Sequence, residues 1–129
     1  GFDYIPPLVY SYDLRNIDTG QWLQFIQNIA ELTEYDKIII EFGQVLNNPM
    51  ILLESCNRIF VPVSNDWMNQ CKKKEWEEYL LKTGYEEILD RTEMLQVPQI
   101  RQWSSLDEYR ECYLWGEPGD YIRQVLGGL

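Results

Sequence analysis

Glu41 is the residue whose type and place most invite chemistry. It closes the run Ile38-Ile39-Ile40 inside EYDKIIIEFG, residues 34–43. An unbroken β-branched run of this kind reads as a strand buried on both faces. A carboxylate at the carboxyl end of such a strand can hold a Mg2+ ion or its water in a nucleotide site. It can equally mark the point where a strand meets solvent, and the residues alone favour that plainer role. In open α/β sheets, ligands bind beyond the carboxyl ends of the strands. The other strand ends expected here offer Asp13, Ser64-Asn65-Asp66 and Pro98-Gln99. Glu41 is the only carboxylate placed directly at the end of a central-looking strand.

Other chemistries are excluded by what the sequence lacks. It has no histidine, so Ser-His-Asp catalysis, Cys-His catalysis and His-ligated metals are ruled out within this chain. An acid-rich Mg2+ site stays possible. None of the eight glycines is followed by lysine, so the chain holds no GxxxxGK[ST] phosphate loop. There is no GxGxxG, and GEPG (residues 116–119) reads as a turn. The formal net charge is −10, from 21 acids against 11 bases. Phosphate-backbone binding needs clustered Lys and Arg, so nucleic acid is not expected as a partner. The one basic run, Lys72-Lys73-Lys74, is followed by Glu75, Glu77 and Glu78, which on a helix is a solvated, salt-bridged face.

Cys56, Cys71 and Cys112 are odd in number and contain no CxxC pair. That fits a reducing cytosol with partly buried thiols. No signal peptide and no apolar run near 18 residues is present, so no membrane insertion is expected. The last helix carries only Arg123 as a base, too little for membrane-surface anchoring. The five tryptophans fall mostly at helical core spacing or near caps. Trp103, in RQWSS after a strand, is the exception, because an aromatic exposed in a loop there would be informative.

The elements that must position these residues follow from periodicity. Pro6-Pro7 forces an extended lead-in to a short strand at LVYSY. Trp22, Phe25, Ile26, Ile29 and Leu32 predict a helix from Thr19 to about Thr33, capped by Asp18 or Thr19. The strand Lys37–Phe42 comes next. Asn48-Pro49 should open a short helix, Met50 to about Cys56. Arg58–Val63 reads as a second buried strand, and Asn65 or Asp66 as the cap of a long helix, Trp67–Lys82, stopped by Gly84. Its apolar stripe (Met68, Cys71, Tyr79, Leu80) is interrupted by Glu75. YEEILD adds a helical turn, and Thr92–Val97 a third strand candidate ended by Pro98. Ser104 or Ser105 should open a helix to about Leu114, and Ser104-x-x-Asp107 resembles a capping box. Pro118 starts a final helix to Leu126.

Strands alternating with helices mean a parallel sheet covered on both faces, with right-handed crossovers. The fold class expected is α/β, three-layer and doubly wound, with a mostly parallel sheet. With no repeat and no linker, residues 1–129 read as one domain.

The order of these motifs is similar to the second half of the ParA/MinD/CpaE group of deviant-Walker P-loop ATPases. Trp22-x-x-Phe25, then EYDKIIIEFG, then LLESCNRIFVPVSNDWMNQCKKKEWEEYLLKTG resemble that group's helix, Walker B strand, following strand and long helix. LQVPQI resembles its base-side strand, and SSLDEY with WGEPGDYIRQVL its C-terminal helices. The CpaE-like pilus-assembly branch is the nearest. The resemblance runs from about Trp22 to Leu129 and rests on the order of elements.

By resemblance, the chain is a partial P-loop NTPase-like fold, the C-terminal portion of a longer cytoplasmic protein. That protein would bind ATP and Mg2+, dimerise across the nucleotide and help place a pilus or secretion apparatus. Glu41 would be the catalytic and metal-site carboxylate. Gly43, Pro98 and Gln99 would be cofactor-binding, with Pro98 and Gln99 beside the base. An N-terminal Walker A-containing segment, or another family member, would be the partner. Two departures bear on this. The family's Walker B acid is Asp, and Glu41 carries its carboxylate about 1 Å further out. The Walker A strand and loop are missing, so this chain alone is expected to be inactive and to take no cofactor. The alternative is a non-catalytic adaptor or protein-interaction domain on a degenerate ATPase fold. A phosphoryl-receiver domain needs a lysine near the last strand, and the last lysine is Lys82.

Overall fold

The computed structural model describes residues 3–6, 12–43, 48–98 and 103–128. They belong to two compact units, Gly1–Asn57 and Arg58–Leu129.

The first unit contains α1 (Tyr12–Arg15), α2 (Thr19–Leu32) and α3 (Met50–Ser55). Asp18 starts α2 with a capping box. Its carboxylate accepts from the Gly20 N–H at 2.7 Å, and the Gln21 side chain accepts from the Asp18 N–H at 3.0 Å. Two otherwise orphaned donors are thereby satisfied. Thr33 closes the helix, its hydroxyl donating to the Ile29 carbonyl at 2.6 Å. Trp22 and Phe25 meet edge to face, 6.1 Å between centroids. No α2 residue is buried. The unit buries Met50, Leu52 and Leu53 of α3 instead. Pro49, not Asn48, occupies the cap position of α3 and makes no side-chain cap bond. The Asn48 carbonyl accepts from the Thr19 hydroxyl, 3.5 Å away.

The expected strand Lys37–Phe42 belongs to no helix and no ladder, and Ile39 is 73% exposed. β-Propensity measures fit to a pleated, half-buried surface. It makes a strand only where another strand satisfies the backbone. The expected strand at LVYSY lies mostly outside the described residues, apart from Tyr12, the first residue of α1.

The second unit runs β1 (Ile59–Pro62), α4 (Trp67–Thr83), α5 (Glu86–Asp90), β2 (Thr92–Leu95), α6 (Leu106–Trp115) and α7 (Glu117–Gly127). β1 and β2 pair in parallel, Ile59 opposite Thr92 and Pro62 opposite Leu95. The ladder is extended by the Ile59 N–H to the Arg91 carbonyl (2.9 Å) and the Val63 N–H to the Leu95 carbonyl (2.8 Å). Parallel neighbours need a crossover, and α4 with α5 supplies it. Leu80 and Ile88, one on each crossover helix, are fully buried, and Ile59 and Leu95 are the buried residues of the two strands.

Gly84 ends α4 in the left-handed region at φ 79°, a conformation that costs other residues energy. The exposed side of α4 carries the expected i,i+4 pairs: Lys73–Glu77 at 3.8 Å, Lys74–Glu78 at 3.9 Å and Lys82–Glu78 at 3.4 Å. Ser105, one of the two serines expected to open α6, is its cap. Ser105 accepts from the Glu108 N–H at 3.2 Å, and the Glu108 carboxylate accepts from the Ser104 N–H at 2.7 Å. Only Gly116 separates α6 from α7. GEPG is therefore partly helix: Pro118 sits in the first turn of α7 and Gly119 is buried. Arg58 donates to the Gly128 carbonyl (2.9 Å) and to Glu93 (2.8 Å), tying the end of α7 to β2.

Candidate functional site

β1 and β2 end level with each other because Pro62 pairs with Leu95. Beyond those residues the strands open around a cleft of about 350 Å3, lined by Val63, Ser64, Asn65, Asp66, Gln96, Val97 and Pro98. This is the carboxyl edge of a parallel pair, where α/β folds bind ligands. Val63, Val97 and Pro98 give it apolar walls, while Ser64, Asn65, Asp66 and Gln96 give it hydrogen-bonding groups.

Asp66 organises the β1 side of the cleft. It caps α4, with one carboxylate oxygen accepting from the Asn69 N–H at 2.9 Å. The Ser64 hydroxyl donates to its other oxygen. The Asn69 side-chain amide donates to that same oxygen at 2.5 Å, and to the Ser64 hydroxyl oxygen at 2.5 Å. Gln70 reaches the Ser64 carbonyl at 3.4 Å. The Ser64 hydroxyl bond, followed by the Asn69 side-chain and backbone bonds, lowers the Asp66 pKa from 3.8 to about 2. Hydrogen bonds to the charged form of a carboxylate act in this direction.

A general base works best with a pKa near the operating pH, and the hydrogen bonds from Ser64 and Asn69 move Asp66 away from that range. The same bonds hold Ser64, Asp66 and Asn69 together at the start of α4. Asp66 is ionised, and the partial positive charge of a helix N-terminus favours it. An anion at the same helix end would meet that carboxylate. The cleft thus suits a neutral or cationic group with hydrogen-bond donors and an apolar face.

Of the residues expected at a nucleotide site, Pro98 is half-buried and lines this cleft. Gln99 lies outside the described residues. Glu41 and Gly43 belong to the first unit and are both exposed. Among the described residues, a Cβ added at Gly43 would meet nothing within 4 Å, so none of them requires glycine there by close approach. Among the described residues, no three Cys, Asp or Glu side chains gather to hold a metal.

Sequence reasoning named Ser64-Asn65-Asp66 and Pro98 but missed Gln96, Val97 and Asn69. The spacing Asp66-x-x-Asn69 was the available signal, because an N-cap side chain faces the N–H group three residues on. Trp103 is 50% exposed and packs against Tyr109; Arg101 and Gln102 lie outside the described residues. No described helix is long and apolar enough to cross a membrane. No family model, no curated protein and no solved structure matches the chain.

Proposed function

We propose that the chain is the C-terminal portion of a cytoplasmic ATP-dependent switch of the ParA/MinD/CpaE type, acting in assembly of a pilus or secretion apparatus. The observation that carries this reading is the cleft at the carboxyl edge of β1 and β2, with Pro98 in its wall. Its chemistry suits the base and ribose of a nucleotide better than the phosphates. Ser64, Asn65, Asp66 and Gln96 offer acceptors and donors to a heterocycle or a hydroxyl, and Val97 and Pro98 offer an apolar surface. By the resemblance, a Walker A-containing segment outside this sequence would hold the phosphates, and Glu41 is the Mg2+ carboxylate that the family pattern names. Bound Mg2+ would supply charge neutralisation at the phosphates. The cleft's own residues would orient the base.

The test uses the intact protein. Glu41→Ala should reduce ATP turnover at least tenfold while leaving the fold unchanged by circular dichroism. Turnover equal to wild type would reject Glu41 as a site residue. The residues encoded before Gly1 give an independent check, because the reading requires a GK[ST]-type loop there.

The alternative is a non-catalytic adaptor, supported by the Glu in place of Asp and by the carboxylate that already occupies the N-terminus of α4. On that reading an upstream loop would lack its lysine, and Glu41→Ala would change no activity.

A further inference from the structure

One face of α6 is left unused by the fold. Leu106, Tyr109, Arg110, Tyr113 and Leu114 recur at i, i+3, i+4, i+7 and i+8, the spacing that puts residues on one side of a helix. In a helix packed by that side they would be buried. Here Leu106 is 83% and Leu114 44% exposed. With Asp107, these residues line an open groove of about 510 Å3. The rings make the patch continuous: Trp103 lies 4.6 Å from Tyr109, and Tyr109 lies 4.5 Å from Tyr113, centroid to centroid. Scattered exposed apolar residues are ordinary, but a contiguous patch rimmed by polar groups marks an interaction surface.

Spacing and charge together select the occupant. A helical stripe of apolar anchors is matched by another amphipathic helix. Asp107 and Glu111 border the stripe and Glu117 follows α6, beside Arg110 within the stripe and Arg123, which reaches the Leu114 carbonyl. The sign of the choice is set by the net charge of −10. A second copy of the chain would bring the same acids to the same rim and add its own net charge of −10, which opposes association. A partner with Lys or Arg beside its apolar face meets both requirements. We propose that the outer face of α6, from Trp103 to Leu114, docks a basic amphipathic helix of another protein. The cleft plays no part in this, and the proposal holds whichever function the cleft serves.

The probe is a fluorescent designed peptide of about 18 residues, long enough to hold a helix. Leucines at i, i+3, i+4 and i+7 occupy one face and lysines the other. Binding to the 129-residue protein is followed by anisotropy near physiological salt. The peptide should bind, and Leu106→Glu should weaken it about tenfold. That substitution adds a charge that attracts the peptide, so weakening reports lost apolar contact and not lost electrostatics. Leu114→Gln, which leaves the net charge unchanged, should weaken binding in the same direction. Trp67→Glu, at an exposed aromatic outside the stripe, should not. Equal binding of a scrambled peptide of the same composition would overturn the proposal by showing attraction through charge alone. Equal binding of a leucine–glutamate peptide would overturn the charge argument. A wild-type dimer in sedimentation equilibrium that Leu106→Glu dissociates would make a second copy the occupant and also overturn it.

Discussion

Gly119 makes a prediction in which two ordinary rules oppose each other. Replacing glycine by alanine in a helix usually stabilises it, by up to about 1 kcal/mol, because alanine loses less backbone freedom. Gly119 lies in the first turn of α7, where α7 crosses the end of α6. An added Cβ there would stand 2.3 Å from the Tyr113 carbonyl oxygen, 2.7 Å from that of Leu114 and 2.9 Å from the Leu114 carbonyl carbon. Carbon–oxygen contacts settle near 3.3 Å, so α7 must retreat by roughly 1 Å. The obstacles are backbone atoms and cannot rotate aside. Retreat would also stretch the 2.6 Å bond from Arg123 to the Leu114 carbonyl. Overpacking of this kind costs about 1–3 kcal/mol, so Gly119→Ala should lose about 1–2 kcal/mol net. Gly127, at the other end of the same helix, has nothing within 4 Å of an added Cβ. There Gly127→Ala should be neutral or stabilise by up to about 1 kcal/mol. Urea unfolding followed by tryptophan fluorescence measures both, as a shift in midpoint at constant slope. If Gly119→Ala stabilises the protein as much as Gly127→Ala, the close packing of α7 on α6 is wrong.

Three further outcomes follow from the second unit. Leu80→Ala removes a fully buried side chain and should cost about 2–5 kcal/mol, read as a lower urea midpoint. Gly84→Ala keeps the sequence helical but places a Cβ at φ 79°; it should destabilise by about 1–2 kcal/mol, where a helical glycine would have gained. Asp66 has a folded pKa depressed to about 2 from 3.8. Its contribution to stability is therefore present above pH 3.8 and lost as pH falls toward 2. Ser64→Ala removes the largest cause of that shift, so the Asp66 carboxyl should titrate closer to 3.8 in 13C NMR, and its share of the acid-induced loss should shrink.

The sequence was most legible where the determinants are local. Asp18 or Thr19, Asn65 or Asp66, and Gly84 announced helix ends through side-chain capping and the left-handed stop, and Asp18, Asp66 and Gly84 act there. The second and third strand candidates, with a helix between them, pair in parallel as alternation suggested. It was least legible where the answer depends on residues distant in the chain. Ile38-Ile39-Ile40 has strand character of its own, yet no ladder includes it. Gly119 read as part of a turn, because its reason for being glycine is the carbonyl of Tyr113, six residues back in another helix. The α6 stripe showed its period in the sequence, but a period does not tell whether the face turns inward or out. For the site, strand ends were legible, since Ser64 to Asp66 and Pro98 were named from position alone. The hydrogen bonds from Ser64 and Asn69 that fix Asp66 depend on how the loop turns.

Those bonds also separate two uses of the same architecture. A helix N-terminus at the carboxyl edge of a parallel sheet is a common anion site, because its free N–H groups and the helix dipole favour negative charge. Here one of those N–H groups, that of Asn69, is taken by Asp66, and the favourable charge is supplied by the protein itself. A phosphate placed there would have to displace a carboxylate held by three hydrogen bonds. A nucleotide on this cleft must therefore present its base or ribose to Ser64, Asn65 and Asp66 and keep its phosphates away from α4. Asp66→Asn distinguishes the possibilities in the intact protein. If the cleft holds the neutral end of a nucleotide through the carboxylate, the substitution weakens nucleoside and nucleotide binding alike. If the helix end is a phosphate site blocked by Asp66, it strengthens ATP binding relative to adenosine. An unchanged affinity for both would remove this cleft from nucleotide recognition and leave the adaptor reading in possession of the fold.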